Sequence, residues 1–234
     1  MSWHSPTNNC LFTCFTSMLK ILLKQLRHDH YILWYNSLII ILFLILSIYV
    51  KIQDRGYIVV GLFDDPFLIN RPYIGTLSAV SELMWCVVVT ICLWCWLLLN
   101  KIQPNQKINR FIFSSAIGIG ILLIDDVFRI NLILVNQGIS KAPVYFMYGI
   151  GAILYGLAFW RIIRATPYIL LMIAAILFVI SGLVDSSHFS GQGTRAMLED
   201  ATRLLGIMNI TLYFSQVCWQ VMLQSLYRKI NRAL

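Results

Sequence analysis

The chain has 234 residues, 59% of them hydrophobic and 12% charged, with a mean hydropathy of +0.76. A soluble globular domain carries about 25% charged residues, so the composition argues against an ordinary water-soluble fold and for an integral membrane protein of one domain. The net charge of +8 is no nucleic-acid footprint, because Lys and Arg lie in short segments between apolar runs, with no basic stripe interleaved with stacking aromatics.

The first element falls at residues 9–27. Leu11, Phe15, Met18, Leu22 and Leu26 recur at helical spacing, while Lys20, Lys24 and Arg27 lie off that stripe. Such a pattern predicts an amphipathic helix lying in the membrane interface. The stretch lacks a basic n-region and an A-x-A site, which argues against a cleaved signal peptide.

Six apolar segments follow, at roughly 31–50, 75–100, 110–133, 143–163, 167–186 and 198–225. Each is near the about 20 residues a helix needs to cross a bilayer. Eleven basic residues (Lys20, Lys24, Arg27, Lys101, Lys107, Arg110, Arg161, Arg164, Arg228, Lys229 and Arg232) then share one side with a single acid, Asp29. The other side holds seven basic residues and nine acids. This bias puts both termini in the cytoplasm. Trp94, Trp96, Trp160 and Trp219 fall near the same inner boundary, as an aromatic belt would. The expected fold is therefore an all-α polytopic bundle of six transmembrane helices in a cytoplasmic membrane, or an internal membrane such as a thylakoid. It divides into a tail with the interfacial helix (1–30), the membrane domain (31–225) and a basic cytoplasmic tail (226–234). Its main partner is the lipid bilayer. Whether it also meets a protein partner or a second copy is left open.

Between the spans, residues 51–74 form the longest outer loop, with a turn signal at Asp64-Asp65-Pro66. Residues 187–197 are small and polar and read as an exposed loop. The six cysteines imply no disulfide framework, since none lies in a predicted outer loop. Cys92 and Cys95 form a CxxC inside an apolar helix. Membrane oxidoreductases place such a pair beside a quinone, whereas small apolar packing residues explain it more simply.

The unusual feature is a set of charges at one level. Glu82 lies about two turns into the second span, Asp125 and Asp126 in the outer half of the third, and Asp185 at the outer end of the fifth, with His188 just beyond. Glu199, Asp200 and Arg203 open the sixth. Helical spacing places Ser114, Gly118, Asp125 and Arg129 on one face, and Ala174, Ser181, Asp185 and His188 on another. A longer face runs through Glu199, Thr202, Arg203, Gly206, Asn209, Tyr213, Gln216 and Gln220. Charge facing lipid is costly, so these faces are expected to turn inward, their small residues letting helices approach.

One reading is purely structural. Asp125 with Arg129 and Glu199 with Arg203 are i,i+4 pairs that neutralise each other, and Asn209 and the glutamines serve interhelical hydrogen bonds. Against this, six acids face two arginines and at most one charged histidine. Bound protons or a bound cation would relieve that excess. Hard oxygens plus one imidazole suit Ca²⁺, Mg²⁺ or Mn²⁺ better than a structural zinc. A bis-histidine haem does not fit, because His4, His28 and His30 lie on the side opposite His188.

LLIDDVFRIN at 122–131 and LEDATRLLGIMNITLYF at 198–214 resemble two motifs of an uncharacterised family of bacterial multi-pass membrane proteins. That family pairs acids in a central helix and again where a later helix opens before a Leu-Gly step. Asp125-Asp126 and Glu199-Asp200 match those pairs, and Asn131 stands where the family often has histidine. The resemblance covers roughly residues 75–225 and implies a topology rather than an activity. The alkaline ceramidase and progestin-receptor superfamily offers a second comparison. It is the weaker one, since this chain has Asp185-Ser186-Ser187-His188 but no H-x-x-x-H in its last helix. The leading expectation is an outward-facing intramembrane carboxylate site for a cation or protons, in a small transporter. The alternatives are a lipid-acting hydrolase or transferase, in which a carboxylate or metal-bound water acts as base and Arg129 holds a head group, and an assembly subunit whose ion pairs serve packing.

Overall fold

The computed structural model describes residues 30–53, 75–102, 106–138, 141–186 and 192–233. The predicted interfacial helix at 9–27, most of the 51–74 loop, and His188 with the 187–191 segment lie outside the described residues. All regular structure among the described residues is helical. The helices are α1 (His30–Gln53), α2 (Thr76–Ile102), α3 (Lys107–Phe128), α4 (Ile130–Asn136), α5 (Lys141–Ala158), α6 (Trp160–Ala165), α7 (Ile169–Ser186) and α8 (Gln192–Ala233). Every one of the six apolar segments therefore coincides with helix. Two of the helices, α2 and α3, are both long and apolar enough to cross a membrane.

The chain divides into a unit ending at Leu46 and a unit beginning at Ser47. Within the first, α1 buries Ile39 and Phe43, one turn apart, and exposes Trp34, Leu38, Ile41, Leu42 and Ile45 around them. Within the second, α8 is the central element, packed against α7 on one side and α2 on another, and α2 in turn packs on α3.

The sequence explains this arrangement through spacing. Trp85, Val88, Cys92, Cys95 and Leu99 are all buried, and their separations of three and four residues keep one continuous seam on α2. On α8 the buried set includes Leu204, Leu205, Ile207, Tyr213, Phe214, Val217 and Cys218. Gly206 is where α7 comes closest, since a Cβ there would stand 3.1 Å from the Phe178 ring. Phe178 stacks on Trp85 with ring centroids 6.1 Å apart, so a single phenyl group ties α7 to both α2 and α8. Close packing of this kind supplies dispersion attraction along the helix contacts.

Helix α5 is held differently. Its apolar side chains Phe146, Met147, Ile150, Ile153, Leu154 and Leu157 are exposed, and its attachments are tyrosines. The hydroxyls of Tyr155 and Ser115 lie 2.6 Å apart, joining α5 to α3. Tyr155, Phe159 and Phe214 surround Phe111 in an aromatic cluster. At the start of α7 the Thr166 and Tyr213 hydroxyls lie 2.8 Å apart, fixing the level of α7 along α8. Ser181 Oγ donates to the Glu199 carbonyl at 3.0 Å and fixes the other end.

Candidate functional site

The acids gather at the end of the bundle where α8 begins and α3 and α7 finish. Asp126, in the last turn of α3, forms an ion pair with Arg203 of α8. The pair is asymmetric: the Asp126 side chain is 12% exposed and that of Arg203 41%. The arginine meets one carboxylate oxygen, Oδ1. The other, Oδ2, is buried and has no hydrogen-bond partner among the described residues. Asp200, three residues before Arg203, lies within electrostatic reach of Glu199, Arg203, Asp126 and Asp185. Asp185 is buried at the end of α7 and accepts a hydrogen bond of 2.7 Å from the Tyr145 hydroxyl of α5. One turn along α5, Tyr148 interacts with the Asp125 side chain. Four elements thus bring five acids to one level: α3, α7 and α8 supply the carboxylates, and α5 supplies two phenols.

Two expectations about α3 are corrected. The predicted inward face carried Ser114, Gly118, Asp125 and Arg129, yet Gly118 is exposed, and the buried stripe runs through Ile112, Ser115, Ala116 and Ile119. Continuing that stripe at helical spacing leads to Asp126, about 100° around from Asp125. The buried face mixes large and small side chains, Phe111, Ile112 and Ile119 with Ser115 and Ala116, and packs chiefly on α2. The second correction concerns Arg129. The expected continuous helix stops at Phe128, and Arg129 adopts left-handed backbone angles, φ 48° and ψ 44°, its N–H donating to the Asp125 carbonyl. The helical backbone bond from Arg129 to Asp125 is kept, but the φ of Arg129 redirects its side chain from the position a continuous helix would give it.

The remaining predicted residues divide. Ala174, Ser181 and Asp185 do share a buried face of α7, and Asn209 and Tyr213 are buried on α8. Glu82 and Glu199 are half-buried. Thr202 turns its hydroxyl back to the carbonyls of Leu198 and Glu199, and Asn209 donates to the Leu205 carbonyl, so both engage their own helix. Gln216 is half-buried and Gln220 exposed, which ends the polar face before the C-terminal turns. Tyr145 and Tyr148 were missed by sequence reasoning. Their three-residue spacing on a helix opposite the acids is the signal that could have found them. Among the described residues no three His, Cys, Asp or Glu side chains are grouped so as to hold a metal ion.

What the fold and this cluster define is an all-helical protein with two membrane-length helices and a polar, carboxylate-rich end. The family described as "Domain of unknown function (DUF8692)" matches residues 37–217, most of the chain, and the protein belongs to that family. This agrees with the resemblance to an uncharacterised family. Comparison with curated proteins and with solved structures finds no match.

Proposed function

We propose that the chain is a multi-pass protein of a cytoplasmic membrane, with six spans and both termini inside, whose outer acidic cluster binds protons and couples them to movement of a small solute. The apolar exterior supports the membrane part. Leu83, Val87, Ile121, Ile124, Ile176, Val179 and Leu183 are exposed on three different helices, far more apolar surface than a soluble monomer tolerates. Trp94, Trp160 and Trp219 are exposed as well, in keeping with an interfacial belt at the inner side.

The observation that carries the proton reading is the half-satisfied Asp126. Its ion pair engages one oxygen, the other is buried without a partner among the described residues, and two further carboxylates, Glu199 and Asp185, stand around the neighbouring Asp200. A proton shared among neighbouring carboxylates needs no ligand sphere. A divalent ion needs several oxygens converging on one point, and the described residues offer no such grouping. Protons are therefore the better-supported ligand.

The test is proton uptake by purified protein after an acid pulse in weakly buffered solution, read with a pH indicator. Asp126→Asn with Asp200→Asn should take up measurably fewer protons than wild type. Equal uptake refutes the proposal. A static packing role is the second reading, favoured by the tyrosine partners of Asp125 and Asp185. It expects equal proton uptake, together with a loss of stability when Tyr145 is changed.

A further inference from the structure

The end of the bundle opposite the acids concentrates positive charge. Lys101 lies in the last turn of α2, Lys107 and Arg110 open α3, and Arg161 and Arg164 lie on α6; all five are exposed. Ring contacts hold these segments at one level. Trp96 of α2 and Phe113 of α3 have centroids 4.6 Å apart, and Phe111 meets Phe159, the residue before α6, at 5.3 Å. The acids of α2, α3, α7 and α8 lie toward the other end, and none of the five cations forms an ion pair among the described residues.

On α6 that charge takes a definite shape. The helix turns Ile163 into the bundle and leaves Trp160, Arg161 and Arg164 exposed. Arg161 and Arg164 are three residues apart and so are neighbours on the helix surface. The Arg164 guanidinium lies over the Trp160 ring, 5.4 Å from its centroid. A guanidinium resting on an indole keeps N–H donors at its edge for a two-point bond to phosphate oxygens.

We infer that α6 is a head-group site for an anionic phospholipid, with Arg161 and Arg164 on the phosphate and Trp160 at the level of the glycerol esters. The inference rests on the membrane part of the proposed function and not on proton binding. Three observations select a lipid among anions. Trp94 and Trp219 are also exposed, and the 3.8 Å contact of Cys95 Sγ with the Cys218 carbonyl sets their two helices side by side at that level, where indoles favour the head-group zone. Leu154 and Leu157, exposed on α5 just before α6, offer acyl chains an apolar surface. The local charge is all of one sign, so a choline head group would bring its ammonium into a repulsive field, whereas a net-negative head group would not.

The experiment uses the full chain, delipidated in neutral detergent micelles and titrated with short-chain phosphatidylglycerol, short-chain phosphatidylcholine or inorganic phosphate. Bound molecules are counted by native mass spectrometry. Phosphatidylglycerol should saturate a site at lower concentration than either of the others. Arg161→Gln with Arg164→Gln should weaken it about 25-fold, at roughly fivefold per arginine. Lys101→Gln with Lys107→Gln removes the same charge and should weaken it less than about fivefold. Trp160→Ala, which keeps every charge, should weaken it as well. Equal binding of the two lipids, saturation by inorganic phosphate at the same concentrations, equal losses in the two double variants, or no effect of Trp160→Ala each overturns the inference. Washing membranes with alkaline carbonate separates the inference from the reading beneath it. Release of the chain overturns both, whereas a retained chain without head-group preference overturns the head-group site alone.

Discussion

The ion pair between Asp126 and Arg203 allows a prediction whose sign depends on burial. Replacing Arg203 with Met leaves a carboxylate that is 12% exposed without its cation. Removing one partner of a fully buried pair costs about 3–5 kcal/mol, and of an exposed pair about 0.2–1 kcal/mol. Here the acid is nearly buried but the arginine is 41% exposed, so solvent already screens part of the attraction. Arg203→Met is therefore expected to cost about 2 kcal/mol. Asp126→Asn is milder, because an arginine with that exposure reaches water by itself, and the cost falls to about 1 kcal/mol or less. The double variant leaves no buried charge and should be more stable than Arg203→Met alone. Reversible unfolding of the four proteins in mixed micelles gives the cycle directly. Equal costs for the two single changes, or a double variant that is merely additive within about 0.5 kcal/mol, would refute the asymmetric, partly buried pair.

Three further outcomes can be checked on the same preparation. Gly206→Val should destabilise by about 1–3 kcal/mol, because a Cβ at 206 already stands 3.1 Å from Phe178; combining it with Phe178→Leu should recover part of the loss in thermal unfolding. Arg129→Gly should be more stable than Arg129→Ala by about 1 kcal/mol, since both delete the side chain but only glycine accepts φ 48° without strain; equal melting would show that the left-handed turn is not kept in solution. Tyr145→Phe removes the 2.7 Å donor to the buried Asp185 and should cost about 1.5–3 kcal/mol, the range for a hydrogen bond to a charged group, while Tyr227→Phe, on an exposed side chain, should change nothing in the same melting assay.

The helices were legible because apolar runs of this length have few alternatives, and all six coincide with helical structure. The inward faces of α7 and α8 were legible too, since small and polar residues at positions 174, 181, 185, 206, 209 and 213 repeat at one spacing. Helix α3 was not. It is apolar nearly all round, so periodicity offers two faces 100° apart, each with its own aspartate. Packing chooses between them: the face with Phe111, Ile112, Ser115, Ala116 and Ile119 lies against α2, and Gly118 is left outside. The break at Arg129 was also hidden, because a left-handed arginine has no residue-type signature of the kind glycine provides. The two tyrosines of α5 were passed over because a phenol in an apolar helix reads as packing until its partner across the bundle is known.

With Asp126 placed on the line of the buried stripe of α3, the acids also find a level in the proposed membrane. Arg110 and Asp126 are sixteen residues apart on α3, and Arg203 and Trp219 are sixteen apart on α8. At about 1.5 Å per residue each interval spans about 24 Å, somewhat less than a hydrocarbon core of about 30 Å. If the inner basic and tryptophan level marks one face of that core, the acids fall about one helical turn inside the other face rather than at its centre. That depth reconciles two facts that otherwise conflict. The carboxylates are partly shielded, which makes a charge excess costly enough to draw in protons. Yet Arg203 keeps 41% of its side chain exposed, which on the proposed topology would let the cluster exchange protons with the outer aqueous side. A midplane cluster would need a channel to exchange protons, and a surface cluster would be neutralised by counterions. On the proposed function, acids one turn below the outer boundary would bind protons from outside without either.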